Sequence, residues 1–161
     1  MYMRQPPSER IAKDAIKAWK LTASLWSCIP ILIVIALFVL AYLFDFSYWY
    51  GTIFIAISLI EVILTVIFIP KLRWNRWRYE VFDQEIYIQH GILIVSRTLV
   101  PMIRVQHVDT KQGPILKKYG LSSLTVSTAA TTHEIPALLE EEAAALRDRI
   151  SELARVEQDD V

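Results

Sequence analysis

Three things are scarce in this chain of 161 residues: cysteine, glycine and net charge. The one cysteine, Cys28, excludes a disulfide within the chain and any thiolate metal cluster. The four glycines form no phosphate-cradling motif of the G-x-x-x-x-G-K or G-x-G-x-x-G kind. Seventeen Lys and Arg balance seventeen Asp and Glu, so the basic excess of a nucleic-acid binder is missing. The three histidines, His90, His107 and His133, fall on separate elements without metal-ligand spacing. Ser122, Ser123, Ser127 and Thr131 lack a G-x-S-x-G setting or a recognisable base. The residues point to no enzyme, no cofactor and no metal.

What is abundant is apolar surface. The chain is 54% hydrophobic with a mean hydropathy of +0.35, and the excess is concentrated. Leu21 to Phe44 carries no charge, and Phe46 to Pro70 carries only Glu61. A bilayer core of ~30 Å needs roughly 20 apolar residues in a helix, and only a helix satisfies its own backbone groups there. Residues 21–70 therefore read as a two-helix transmembrane hairpin turning at Asp45 to Gly51. The first run is longer than a signal-peptide core and no small-residue cleavage site follows it. Cys28 lies near its start, where a lipoprotein cleavage cysteine would not be.

Charge placement gives an orientation. Arg4, Arg10, Lys13, Lys17 and Lys20 precede the hairpin, Lys71, Arg73, Arg76 and Arg78 follow it, and the turn has no Lys or Arg. The positive-inside bias predicts a multi-pass protein of the cytoplasmic membrane with both termini in the cytoplasm. Residues 1–20 read as an amphipathic segment lying on membrane lipid, helical from an N-cap at Ser8, with Ala12, Ala15, Ile16 and Trp19 on one face. Residues 71–78 read as a basic juxtamembrane linker.

Beyond Arg78 the pattern changes to period two. Strands are predicted over Tyr79–Phe82, Ile86–Gln89, Ile92–Val100, Ile103–Val108, Leu124–Ser127 and Thr132–Ile135, with turn signals at Asp83-Gln84, His90-Gly91 and Gln112-Gly113-Pro114. Leu139, Ala143, Leu146, Ile150 and Leu153 then form a helical stripe that can cover the sheet. The cytosolic domain is predicted over 79–155, with a polar tail over 156–161. It carries eight basic against thirteen acidic side chains from residue 79 onward, net −5.

Val100-Pro101, Arg104-Val105-Gln106-His107-Val108, Gln112-Gly113-Pro114, Tyr119-Gly120-Leu121 and Leu124-Thr125-Val126-Ser127-Thr128-Ala129 together resemble the bacterial pleckstrin-homology (PH)-like domain. A two-span hairpin ahead of one such domain is similar to the small membrane proteins of the YdbS type. The resemblance implies an α+β membrane protein in which a bent antiparallel sheet is capped by a C-terminal helix. It also implies homo- or hetero-oligomeric assembly with a larger membrane protein bearing several such domains, and a link to protection against membrane-active antimicrobial peptides. It carries over no catalytic residue. The pattern's glycine after Thr-Ala is absent, replaced by Ala130-Thr131-Thr132, so a different turn is expected there.

Two groups of residues are candidates for function. Glu61, near the middle of the second span, forms a small and polar stripe with Gly51, Ser58 and Thr65, and Ser27 is a candidate hydrogen-bond partner at similar depth. An intramembrane carboxyl suggests a packing or partner contact, with transport through a channel subunit as the alternative and peptide or lipid recognition as a third use. On the domain, Arg104, Gln106, Lys117 and Lys118 are candidates for an interaction surface. Lipid binding by that basic group would rest on analogy of fold alone, whereas an open sheet edge suits strand addition by a partner.

Overall fold

A computed structural model describes residues 5–45 and 47–159, which form two units. Residues 19–71 make one; the segments up to Ala18 and from Leu72 make the other.

The first unit is the body of a helical hairpin, whose first helix begins and last helix ends a few residues outside it. Its first arm runs through α1 (Ala15–Trp26) and α2 (Cys28–Phe44), interrupted at Ser27. Pro30 explains the interruption, because it has no N–H to offer the Trp26 carbonyl one turn back. The Ser27 hydroxyl donates to the Ala23 carbonyl at 3.0 Å, tightening the same turn. Asp45 closes α2 in the left-handed region (φ 52°), which Asp tolerates better than most side chains. The second arm comprises α3 (Trp49–Val62), a π-helical stretch at Ile63–Phe68, and α4 (Ile69–Arg76). Pro70 lacks the N–H that Val66 would receive, and the wider π turn ahead of it absorbs the break. The two arms are continuous enough to give apolar helices of 30 and 28 residues, long enough to cross a bilayer.

The second unit is built of two antiparallel sheets. β1 (Arg78–Val81), β2 (Glu85–His90) and β3 (Ser96–Pro101) form one in that order; β4 (Val105–Lys111), β5 (Leu121–Thr128) and β6 (Thr132–Leu139) form the other. A 3-10 turn at Met102–Arg104 links them, and a short helix, α5 (Pro114–Lys118), joins β4 to β5. The long α6 (Glu140–Asp159) covers β4, β5 and the 3-10 turn. Ile86, Ile88, Met102, Leu121, Leu124, Val126, Ile135 and Ile150 are almost fully buried and make the core. A domain this small needs the helix, since either sheet alone would leave its apolar face in water.

Several boundaries differ from the sequence reading. Residues 8–14 are not helical. Glu9 pairs with Tyr79 in both directions (N···O 3.1 Å each way), the Ala12 N–H reaches the Ala137 carbonyl at 3.1 Å, and Ile11 is 2% exposed. This segment is an extended strap on the β unit, and the helix starts only at Ala15. Residues 71–76 continue the second helical arm, and Arg78 already belongs to β1, so no separate linker stands between them. Ile92–Val95 is a loop, not the start of a strand. Leu139 ends β6 and is exposed, leaving Ala143, Ile150 and Ala154 as the buried stripe of α6. That helix runs on to Asp159, so the tail read as polar and separate is helical as far as the described residues go.

Candidate functional site

The residues singled out in the domain motif divide into two sets. One set builds the fold. Gly113 precedes Pro114, the first residue of α5, where a missing N–H is harmless. Gly120 takes φ 63° to leave that helix. The Gln112 side chain spans the gap, donating to the Leu121 carbonyl at 2.9 Å and to Glu140 Oε2 at 3.2 Å. These residues fix the connection between β4, β5 and α6.

The other set lines a cleft of about 550 Å³ between the two sheets. Leu99, Val100 and Pro101 of β3 form one wall; Ile103, Arg104 and Gln106 lead into β4; Thr128, Thr131 and His133 close it from the β5–β6 hairpin. Among the described residues β3 pairs only with β2 and β4 only with β5, so both strands at the cleft are edge strands of their sheets. Leu99 and Ile103 are 48% and 44% exposed, which places aliphatic surface beside the Arg104 guanidinium and the Gln106 amide. The hairpin without glycine is held by hydroxyls: Thr128 Oγ1 donates to the Thr131 carbonyl at 2.9 Å and accepts the Thr131 N–H at 3.1 Å. Thr131 Oγ1 lies 2.9 Å from His133 Nε2. Arg104 and Gln106 therefore share one site, whereas Lys117 and Lys118 lie on α5 and take no part in the cleft. His133 and Thr131 were not anticipated as lining residues; their neighbourhood depends on the hairpin that brings residue 133 back over residue 128.

Within the hairpin unit, Ser27, Ser58 and Ala41 are buried, and Gly51 is buried where a Cβ would stand 2.9 Å from the Phe38 ring. Thr65 Oγ1 donates to the Glu61 carbonyl at 2.9 Å and lies 3.2 Å from Glu61 Oε1. Glu61 Oε2 and Ser58 Oγ are buried without a hydrogen-bond partner among the described residues. The expected Ser27–Glu61 pairing is not formed, since Ser27 turns back on its own helix. Unpartnered buried polar groups cost about 1–3 kcal/mol each, so this pair invites a donor from elsewhere. Thr65 belongs to the π-helical stretch, and such stretches often accompany functional positions.

A hairpin of two membrane-length helices attached to paired three-stranded sheets and a covering helix defines a class: membrane proteins with a PH-like domain. The family model for the bacterial PH domain matches residues 16–154, and the chain belongs to that family. It is 54% identical over 159 residues to the UPF0699 transmembrane protein YdbS of Bacillus subtilis (strain 168), covering 99% of this chain and 100% of that one. It is 25% identical over 104 residues to the UPF0699 transmembrane protein YdbT of the same organism, covering 65% of this chain and 20% of that longer protein. No solved structure matches.

Proposed function

We propose that this chain is a non-catalytic assembly subunit of the cytoplasmic membrane. Its PH-like domain docks on a larger membrane protein of the same family, and the complex limits damage by membrane-active antimicrobial peptides. Both termini and the domain lie in the cytoplasm in this reading, following the positive flanks of the hairpin.

The observation that carries it is the cleft between the open edges of β3 and β4. An unpaired strand edge is a template for another strand. The exposed Leu99 and Ile103 offer apolar contacts for alternate side chains, while Arg104 and Gln106 supply polar anchors. The similarity to a segment of YdbT supports a larger relative as the kind of partner. Recovery of the chain from native membranes in gentle detergent tests the reading: a larger family member should accompany it, and a strictly monomeric chain would refute it.

A second reading rests on the unpartnered Glu61 Oε2 and Ser58 Oγ. Buried polar groups inside a membrane span mark ion or substrate paths as well as helix contacts. Here the chain would be a transporter or channel subunit that uses the Glu61 carboxyl.

A further inference from the structure

The tip of the β2–β3 hairpin breaks the usual chemistry of a loop. Turn residues are ordinarily polar or conformationally special, yet Ile92, Leu93 and Ile94 follow one another here. Leu93 is 95% exposed and Ile94 85%, more than any aliphatic residue in either apolar helix. The loop has a defined shape. Gly91 has φ 116°, and a Cβ at this position would collide with the Ile94 carbonyl oxygen, so the tight return of the chain depends on glycine.

The loop's surroundings indicate what covers it. Ile92, Leu93 and Ile94 share a surface pocket with Arg73, Trp77 and His90. Trp77 stacks on His90, the last residue of β2, with ring centroids 5.4 Å apart. Arg73 stands three residues beyond Pro70, where the apolar run ends, on the same helix α4. At a rise of ~1.5 Å per residue, Arg73 lies within about one turn of the last apolar residues of the span. The sequence between Lys71 and Arg78 carries four cations and no acid. The aliphatic tip thus shares one surface with Arg73, a cation that closely follows the apolar run on α4. Trp77 is 7% exposed and backs the loop from inside the protein, while a cation near a membrane surface, as Arg73 would be, is drawn to anionic lipid.

We propose that the Ile92–Ile94 loop inserts into the headgroup–acyl boundary of the bilayer that holds the two spans, forming a third membrane contact. Arg73 flanks it at headgroup depth, with Trp77 buried behind the loop. The contact needs no partner protein, so it stands or falls separately from the docking cleft.

The test uses the full chain alone in vesicles of phosphatidylcholine with a minor share of phosphatidylglycerol. Cys28→Ser removes the native thiol, and Leu93→Cys or, as a control on α6, Glu141→Cys receives an environment-sensitive fluorophore. The Leu93 label should emit to the blue of the Glu141 label. Lipids with nitroxide on the acyl chain should quench it several-fold more strongly, and iodide in the water several-fold less. Adding Ile94→Asp should remove most of the acyl-chain quenching, because a carboxylate resists burial. Equal iodide quenching at both positions would overturn the proposal. So would a Leu93 label shielded from iodide yet untouched by acyl-chain nitroxide, which would place a protein on the loop. Undiminished quenching in the Ile94→Asp chain would overturn it too, since the dye would then be the anchor.

Discussion

Glu9 and Tyr79 exchange both backbone hydrogen bonds, N···O 3.1 Å in each direction, across seventy residues of sequence. This pairing holds the segment before the first helix against β1, and Trp74 reinforces it by donating its indole N–H toward the Ile11 and Ala12 carbonyls at 3.1 Å. The Arg10 guanidinium lies 5.4 Å from the Trp74 ring centroid. The β unit is therefore assembled from chain on both sides of the hairpin.

The strap should contribute measurably to stability. Ile11 is 2% exposed, and Ile11→Ala should cost about 2–4 kcal/mol. Ala12→Pro removes the donor to the Ala137 carbonyl and should also destabilise. Thermal unfolding of the purified full chain in detergent, followed by circular dichroism, checks both; wild-type melting of Ile11→Ala would contradict the packing described.

Tyr79 should make the domain sensitive to alkali. Burial pushes its phenol well above the usual tyrosine value, with the Glu9 and Glu142 carboxylates and a hydrogen bond to Glu9 acting in the same direction. The folded state thus favours the neutral phenol. Its contribution is fully present below the unfolded tyrosine value of about 10 and is lost as pH rises beyond it. Stability should fall from near pH 10 upward, and Tyr79→Phe should flatten that part of the profile. An unchanged alkaline profile in Tyr79→Phe would remove Tyr79 from the account.

Gly51 sets the approach of the two membrane helices. A Cβ there would stand 2.9 Å from the tip of the Phe38 ring, which itself stacks near Tyr48 at 6.4 Å. Because the contact is with the end of a movable side chain, Gly51→Ala should cost little. Gly51→Leu should force the arms apart and lower the melting temperature in detergent; intact stability in Gly51→Leu would exclude the close approach.

Glu61→Gln separates the two functional readings. It preserves size and keeps an acceptor near Thr65, now 3.2 Å from Oε1. In an assembly subunit it should leave partner recovery and peptide resistance within about fivefold of wild type, since a neutral packing contact is worth only ~1 kcal/mol. Abolished resistance with intact assembly would favour transport.

What the sequence makes legible is what depends on near neighbours. Apolar runs of membrane length, with Glu61 their one charge, identify both helical arms, alternation finds most strands, and the Arg104-Val105-Gln106 motif leads to two lining residues of the cleft. The misses come from distant pairings and from apolar runs with two readings. Ser8 and the apolar face of Ala12 and Ala15 suggest a helix locally, but the partner that wins, Tyr79, is seventy residues away. Ile92–Val95 is rich in β-branched residues and reads as strand until the conformation at Gly91 turns the chain. Lys117 and Lys118 read as one patch with Arg104 by charge alone; α5 carries them away from the cleft.

The central claim is that the β3–β4 cleft docks a larger family member, and affinity recovery from native membranes tests it most directly. Arg104→Glu combined with Gln106→Arg should reduce the recovered partner several-fold while the melting temperature stays unchanged. Lys117→Ala with Lys118→Ala should recover it like wild type. Recovery of the same partner in the same amount by all three chains, or of none by the wild type, would contradict the account.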